Sequence, residues 1–381
     1  MASFVGVGCM SGSSMDGLDI CCVEFTGDIF TDLWGYRILA AETVAYSKQW
    51  SERLRDADNL SGIELIRLHV DYGRFQGKCV STFITKHRLN ERVQFVASHG
   101  HSVFHKPQEG ISFQLGDGEV TAAMLKVPFV CNFRAKDVTI GGQGAPLVPC
   151  GEKYLFRNSD ICINLGGIAN IGIKGMRGYD ICPCNRILNS LVLEKGGGQQ
   201  YDKDGDLARS GDMVPEVLVK LQNLSYYQQD PPKSLWVDYI EENVLPILDC
   251  NKYKVENLLR TCTEHVASMV ADACFEAKPS IATTSHHPNR TVLITGGGAL
   301  NKYLVELIGQ YLDAQGFEIE QVDEETINFK EALIFAFLGM RCLLGEDNVF
   351  SETTGARQDS VSGSIHRPLS SGSAKHISLL H

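Results

Sequence analysis

The stretch GVGCMSGSSMDGLD, residues 6–19, places four glycines, three serines and two aspartates between apolar flanks. Glycine costs conformational entropy, so this density calls for a backbone that bends sharply or a ligand that comes close. Backbone N–H groups in a tight glycine turn form an anion-binding concavity, and serine hydroxyls add donors. One reading of Gly12, Ser13, Ser14, Met15, Asp16, Gly17, Leu18 and Asp19 is therefore a phosphate cradle in which Asp16 positions a hydrated Mg²⁺. The other is an ordinary β-hairpin turn. No lysine follows the glycines, and Gly6 and Gly8 do not continue into GxGxxG, which disfavours Walker A and dinucleotide-binding loops.

A second glycine turn, NLGGIAN at residues 164–170, carries Gly166 and Gly167 between apolar runs and repeats the strand, turn, strand layout of the first. A third element, at residues 292–312, runs β-friendly residues into Gly296, Gly297 and Gly298 and opens a regularly spaced apolar helix near Asn301. Helix packing alone needs one glycine. Three at a strand–helix junction suit close approach to a flat ring, or to phosphate at the helix N-terminus.

A competing chemistry is visible in HGHSVFH. His99, His101 and His105 follow a strand, and alternate residues of an extended segment point to one side, which is a zinc-ligand arrangement and the basis of a hydrolase reading. Cys182 and Cys184 form a CxC with no second cysteine pair to complete a metal site, so buried packing is the simpler reading.

Positioning such turns requires an α/β frame, and short β-rich runs do alternate with helical patterns. The spacing predicts strands at 4–7, 18–25, 36–43, 94–97, 128–133, 161–164, 168–174, 292–295 and 318–322. Helices are predicted at 63–86, 119–125, 215–224, 255–276, 301–314 and 329–344. Two hairpins, each opening an α/β half, suggest duplicated domains facing each other across a cleft, with a ligand between them. The Gly- and Pro-rich GGQGAPLVP, residues 141–149, reads as a crossing loop. The expected domains are residues 1–134 with 349–381, and residues 135–348. The polar tail holds a patterned SIHRP segment expected to return to the first domain.

The 381 residues are 44% hydrophobic and 21% charged, which suits a globular chain. A net charge of −11 disfavours nucleic-acid and other polyanion partners. There is no signal-peptide pattern and no run of about eighteen apolar residues, so no membrane partner and a cytoplasmic location are expected. The 13 cysteines are odd in number and scattered through apolar runs, as for free thiols in a reducing compartment.

GVGCMSGSSMDGLD, ASHGHSVFHKP, NFRAKDVTIGGQGAPLVP, INLGGIANIGI, YDICPCN, YDKDGDLARSG, DPPKS, ITGGGALN, EALIFAFLGMR and TTGA follow one another along the chain. In this order they resemble the anhydro-N-acetylmuramic acid kinase family over nearly the whole length. The resemblance implies an actin/hexokinase-type fold of two RNase-H-like α/β domains flanking a nucleotide and sugar cleft. It implies ATP with Mg²⁺, a homodimer, and phosphorylation of O6 of 1,6-anhydro-N-acetylmuramic acid as water opens the anhydro bridge, in cell-wall recycling. Residues 12–19 then correspond to the first phosphate hairpin, Gly166 and Gly167 to the second, and Gly296, Gly297, Gly298 and Asn301 to the adenosine site.

Adding water to a strained acetal needs a base, and a carboxylate ionised at neutral pH suits it. The resemblance assigns that base to Asp180 and a sugar-contacting catalytic role to Glu331. It assigns the lactyl carboxylate to Arg134, whose planar guanidinium binds carboxylates bidentately. Ser98, His99, Gly100 and Asn185 are implied as further sugar contacts. The chain departs from the family pattern at Cys182 and Cys184, where glycines are frequent, at His101, where an amide is usual, and after Ser234. These departures lie on the expected sugar side. They keep open another 1,6-anhydrosugar such as levoglucosan, and a nucleotide- and sugar-binding sensor without turnover.

Overall fold

The first apolar run pairs with the second. Strand β1 (Ala2–Ser11) lies antiparallel to β2 (Gly17–Asp28), with Ala2 opposite Gly27 and Ser11 opposite Leu18, so the serine- and glycine-rich segment is the turn between them. This computed structural model describes all residues except 1, 13–14, 29–30, 175–177, 232, 282–289 and 370–381. Strand β3 (Leu33–Ala45) continues the antiparallel meander, and β4 (Phe95–Ser98) joins β1 in parallel. A ribbon of β5 (His101–Lys106) and β6 (Ile111–Leu115) follows, then β7 (Phe129–Cys131), parallel to β4. A short strand, Ser364–His366, pairs with β7, giving the sheet order Ser364–His366, β7, β4, β1, β2, β3.

Both faces of this sheet are covered, so its central strands read as near-continuous apolar runs. On one face Val7, Cys9, Leu18 and Ile20 share a core with Val80 and Phe83 of the helix Gly62–Lys86. On the other lies the helix Glu324–Leu344, whose residues 332–340 are almost entirely buried, as expected of a helix apolar all round. The approach is backbone to backbone: a Cβ at Gly8 would overlap the Ala332 carbonyl oxygen, and one at Gly339 would overlap Ala97.

The second sheet repeats the plan. Strands β8 (Ile161–Leu165), β9 (Ile168–Ile173) and β10 (Tyr179–Pro183) form an antiparallel meander, and β11 (Arg290–Thr295) and β12 (Phe317–Glu320) add in parallel beside β8. Its order is β10, β9, β8, β11, β12. Numbered within each sheet, the second reads 3-2-1-4-5 and the first reads the same with Ser364–His366 added as a sixth strand at its edge, which is the RNase-H-like arrangement. Long helices Val255–Ile281 and Lys302–Ala314 supply much of the apolar cover.

The chain divides into a first unit, residues 1–156 with 329–381, and a second, residues 157–328. The sequence expectation had the changeovers at 134/135 and 348/349. The difference has a packing cause. The helix Pro149–Leu155 buries Gly151 against Ile334, and the 324–344 helix is wedged on β1, so both stay with the first sheet. Among the described residues no helix is long and apolar enough to cross a membrane.

Candidate active site

In the first unit the segment after β4 turns at Gly100, whose φ of +76° and close approach to the Leu115 carbonyl oxygen exclude a side chain. This turn aims His99 at Arg134. Both the Nε–H and an Nη2–H of Arg134 meet His99 Nε2, at 3.1 and 2.9 Å, while Nη1–H donates to the Gly144 carbonyl at 2.5 Å. Nε2 therefore acts as acceptor, and the ring proton sits on Nδ1, 3.0 Å from the Gly100 carbonyl oxygen. Burial, then the neighbouring Arg134 charge, hold the His99 pKa well below its usual value, so the ring is neutral. Two of the five Arg134 N–H groups have no partner among the described residues.

Glu331 extends from the helix Glu324–Leu344, one turn before Phe335, whose ring lies 4.8 Å from that of His99. Burial raises the Glu331 pKa. Lys330 and Arg134 oppose the shift, and Asp19 reinforces it. No hydrogen bond reaches its carboxylate among the described residues. Lys330 is itself paired with Glu152 at 2.7 Å.

At the first hairpin, Met15 is left-handed at φ 56° and Gly17 sits 2.6 Å, at a would-be Cβ, from the Val44 carbonyl oxygen. Asp16 is exposed, with its carbonyl oxygen taken by Tyr46 N–H, and Leu18 is fully buried in the sheet core. Asp19 accepts the Thr43 hydroxyl at 2.5 Å, and its pKa is raised by burial and by Asp16. Gly12 accepts a hydrogen bond from Met15 N–H at 3.3 Å. Ser13 and Ser14 lie outside the described residues.

In the second unit Asp180 stands on β10 beside a bulge between Asp180 and Cys182, a device that re-aims side chains. Its Oδ2 accepts Leu235 N–H at 2.9 Å, its backbone carbonyl accepts the Tyr226 hydroxyl at 2.5 Å, and Oδ1 has no partner among the described residues. Burial raises its pKa, opposed by the Leu235 hydrogen bond. It caps no helix, since the N-cap of the helix Asn185–Lys195 is Cys184.

The second hairpin turn is braced from outside. Gly166 and Gly167 give their carbonyls to the N–H groups of Cys184, Asn185 and Arg186, while their own N–H groups have no partner among the described residues. Asn185 Nδ2 donates to the Leu165 carbonyl at 2.9 Å. The triple glycine packs directly on this turn: Gly296, at φ +84°, would strike Asn164 with a Cβ, Gly298 would come within 2.7 Å of Leu165 Cβ, and Gly297 lies beside Asn185. Asn301 caps the helix Lys302–Ala314 through Leu304 N–H at 3.0 Å.

The family model described as anhydro-N-acetylmuramic acid kinase matches residues 4–368. The chain belongs to the anhydro-N-acetylmuramic acid kinase family. The family's enzyme of that name from Francisella tularensis subsp. novicida is 30% identical, covering 94% of this chain and 98% of its own. The one from Paramagnetospirillum magneticum is 30% identical, covering 96% and 100%. Among solved structures, a ROK hexokinase from Thermus thermophilus aligns at 13% identity and a TM-score of 0.40, covering 89% of this chain and 99% of that one. As a member of this kinase family the protein is an enzyme, a phosphotransferase acting on a sugar.

In this member of the anhydro-N-acetylmuramic acid kinase family, Ser98 has surroundings different from those its sequence suggested, while Cys182 and Cys184 are packed as it suggested. Ser98 is fully buried, donating to Gln76 at 2.6 Å and accepting Gly100 N–H at 3.0 Å, so it braces the turn. Cys182 and Cys184 are core thiols, pushed up by burial, Cys184 to about 12. His99 has both nitrogens engaged and no lone pair left for zinc. Among the described residues no three His, Cys, Asp or Glu side chains converge as metal ligands. Sequence reasoning missed the chain Tyr72, Tyr46, Ser11, His101, linked at 2.7, 2.7 and 2.9 Å, which ties the end of β1 to the start of β5. These four residues come from three elements and the loop after β3, so no local pattern marks them.

Proposed function

We propose that the chain transfers the γ-phosphoryl group of ATP to O6 of 1,6-anhydro-N-acetylmuramic acid while water opens the anhydro bridge, giving N-acetylmuramic acid 6-phosphate and ADP. The observation that carries this reading is the family match across residues 4–368, because it spans every motif given a role here.

In this scheme Asp180 takes a proton from water as its oxygen bonds to C1. The C1–O6 bond breaks, and O6 forms the new bond to phosphorus as the bond to the bridging oxygen of ADP is lost. A pKa raised by burial makes Asp180 a stronger base, and Leu235 N–H holds one oxygen so that the other is oriented. Arg134, fixed by His99 and Gly144, binds the lactyl carboxylate with its remaining N–H groups. Glu331 accepts a sugar hydroxyl. The N–H groups of Gly166 and Gly167 and of the first hairpin receive phosphate oxygens, and Gly296, Gly297 and Gly298 admit the adenosine.

The oxygen donors at the first hairpin fit a hydrated Mg²⁺: Asp16 is exposed, and the negative charge of Asp16 beside Asp19 lacks a paired cation among the described residues. When bound there, the ion would neutralise phosphate charge. The proposed setting is cytoplasmic cell-wall recycling by a homodimer, the latter read out by light scattering.

An ATP-dependent assay on 1,6-anhydro-N-acetylmuramic acid, levoglucosan and N-acetylmuramic acid, with product mass recorded, tests the scheme. A product heavier by one water and one phosphoryl group, from the muramyl anhydrosugar alone, supports it. Preference for levoglucosan overturns the substrate, and ATP binding without product overturns the activity.

A further inference from the structure

Two sequence motifs to which no chemistry has been assigned, GGQGAPLVP at residues 141–149 and TTGA at residues 353–356, meet at Asp137. This side chain is fully buried, on the short helix Ala135–Thr139 that follows Arg134. Asp137 Oδ2 accepts Gly144 N–H at 2.7 Å, and Oδ1 accepts the Thr354 hydroxyl at 2.7 Å. Its backbone carbonyl accepts Gly142 N–H at 2.9 Å, and the Thr354 carbonyl accepts Gln143 N–H at 2.9 Å. The loop is wrapped so closely that a Cβ at Gly142 would overlap the Asp137 carboxylate.

No lysine, arginine or histidine pairs with Asp137 among the described residues. A buried carboxylate without a cation is costly, and its retention points to the groups it holds. The group it holds is Gly144, whose carbonyl accepts Nη1–H of Arg134 at 2.5 Å. Arg134, Gly144 and Asp137 thus form a closed bracket. With His99 on the other edge, the guanidinium plane is fixed from two sides.

We propose that Asp137 is a positioning residue for sugar specificity: by locking Gly144 it aims the Arg134 guanidinium, so that an anhydrosugar bearing a carboxylate is preferred over one without. The inference rests on the carboxylate-binding reading of Arg134. Thr354 supports the bracket from the C-terminal segment, which gives TTGA its role.

The test is calorimetric binding, in the presence of ADP, of 1,6-anhydro-N-acetylmuramic acid and of its neutral lactyl carboxamide. Asp137→Ala is expected to weaken the acid about tenfold and the carboxamide less than about twofold, the scale of one charge-assisted hydrogen bond. Asp137→Asn, which can still accept Gly144 N–H, is expected to restore most of the acid's affinity. In an Arg134→Gln background, Asp137→Ala is expected to add nothing. Equal weakening of acid and carboxamide, or additive losses in the double variant, overturns the proposal. If Arg134→Gln weakens the acid and the carboxamide equally, the carboxylate reading of Arg134 falls, and this inference with it. Should Asp137→Ala not fold, Thr354→Val carries the same comparison, with a selective loss of about threefold expected and equal losses overturning the idea.

Discussion

A single nitrogen of His99, Nε2, receives two N–H groups of Arg134, and this pairing works only while the ring is neutral. In the unfolded chain the histidine takes up a proton below about pH 6.5, but the folded ring, depressed by burial and by Arg134, does not. The stability it contributes is thus present above that pH and lost as pH falls below it. His99→Gln, which keeps an acceptor for Arg134, should show a flatter decline between pH 6.5 and 5, by up to about 1.4 kcal/mol per pH unit. Urea unfolding at stepped pH measures this, and parallel curves for the two proteins would refute it.

Asp180→Asn should lower kcat by about 10²- to 10⁴-fold, the usual worth of a positioned base, while ADP affinity is retained. Because the fold raises the Asp180 pKa, the folded state binds this proton more readily than the unfolded chain does, which costs stability at neutral pH. The variant should therefore be at least as stable as wild type at pH 7, and the gap should close as pH falls through the raised pKa. Thermal unfolding at pH 7 and pH 4 checks the sign. Lost ADP binding would reassign Asp180 to a structural role.

Gly296→Ala places a Cβ on a left-handed backbone and against Asn164. A cost of about 1–3 kcal/mol is expected, with weaker ADP binding from the displaced loop. Unchanged ADP affinity in a destabilised variant would remove the triple glycine from the nucleotide site.

Gly8→Ala would drive a methyl group into the Ala332 carbonyl, so the helix carrying Glu331 must retreat. A loss of about 3 kcal/mol and a raised KM for the sugar are expected. Wild-type stability in urea would contradict the backbone packing.

Asp16→Asn should raise the Mg²⁺ concentration needed for half-maximal activity without changing sugar affinity, because one charge of the hairpin pair is removed. A magnesium titration at fixed ATP decides this, and an unshifted midpoint would take Asp16 out of metal binding.

The glycine turns and all nine predicted strands were legible because alternation and glycine density are local properties of the backbone. Strand β10 was not. Its YDICP residues carry no clear alternation, and the strand exists because β9 offers an edge. The β5–β6 ribbon was missed for the same reason. Asn301, read as a nucleotide contact, has its side-chain oxygen committed to a helix cap, a role the same asparagine signals equally well in sequence.

By itself the sequence determined where the chain must bend, which runs must be buried, and, through its ordered motifs, which family chemistry it carries. Only the tertiary structure decided what each polar side chain faces. Ser98 turns inward to Gln76, Asp180 takes the N–H of Leu235, 55 positions away, and Asp137 meets Thr354, 217 positions away. Hydrogen-bond partners are chosen by proximity after the sheets and helices have packed, and packing brings together residues that no local spacing relates.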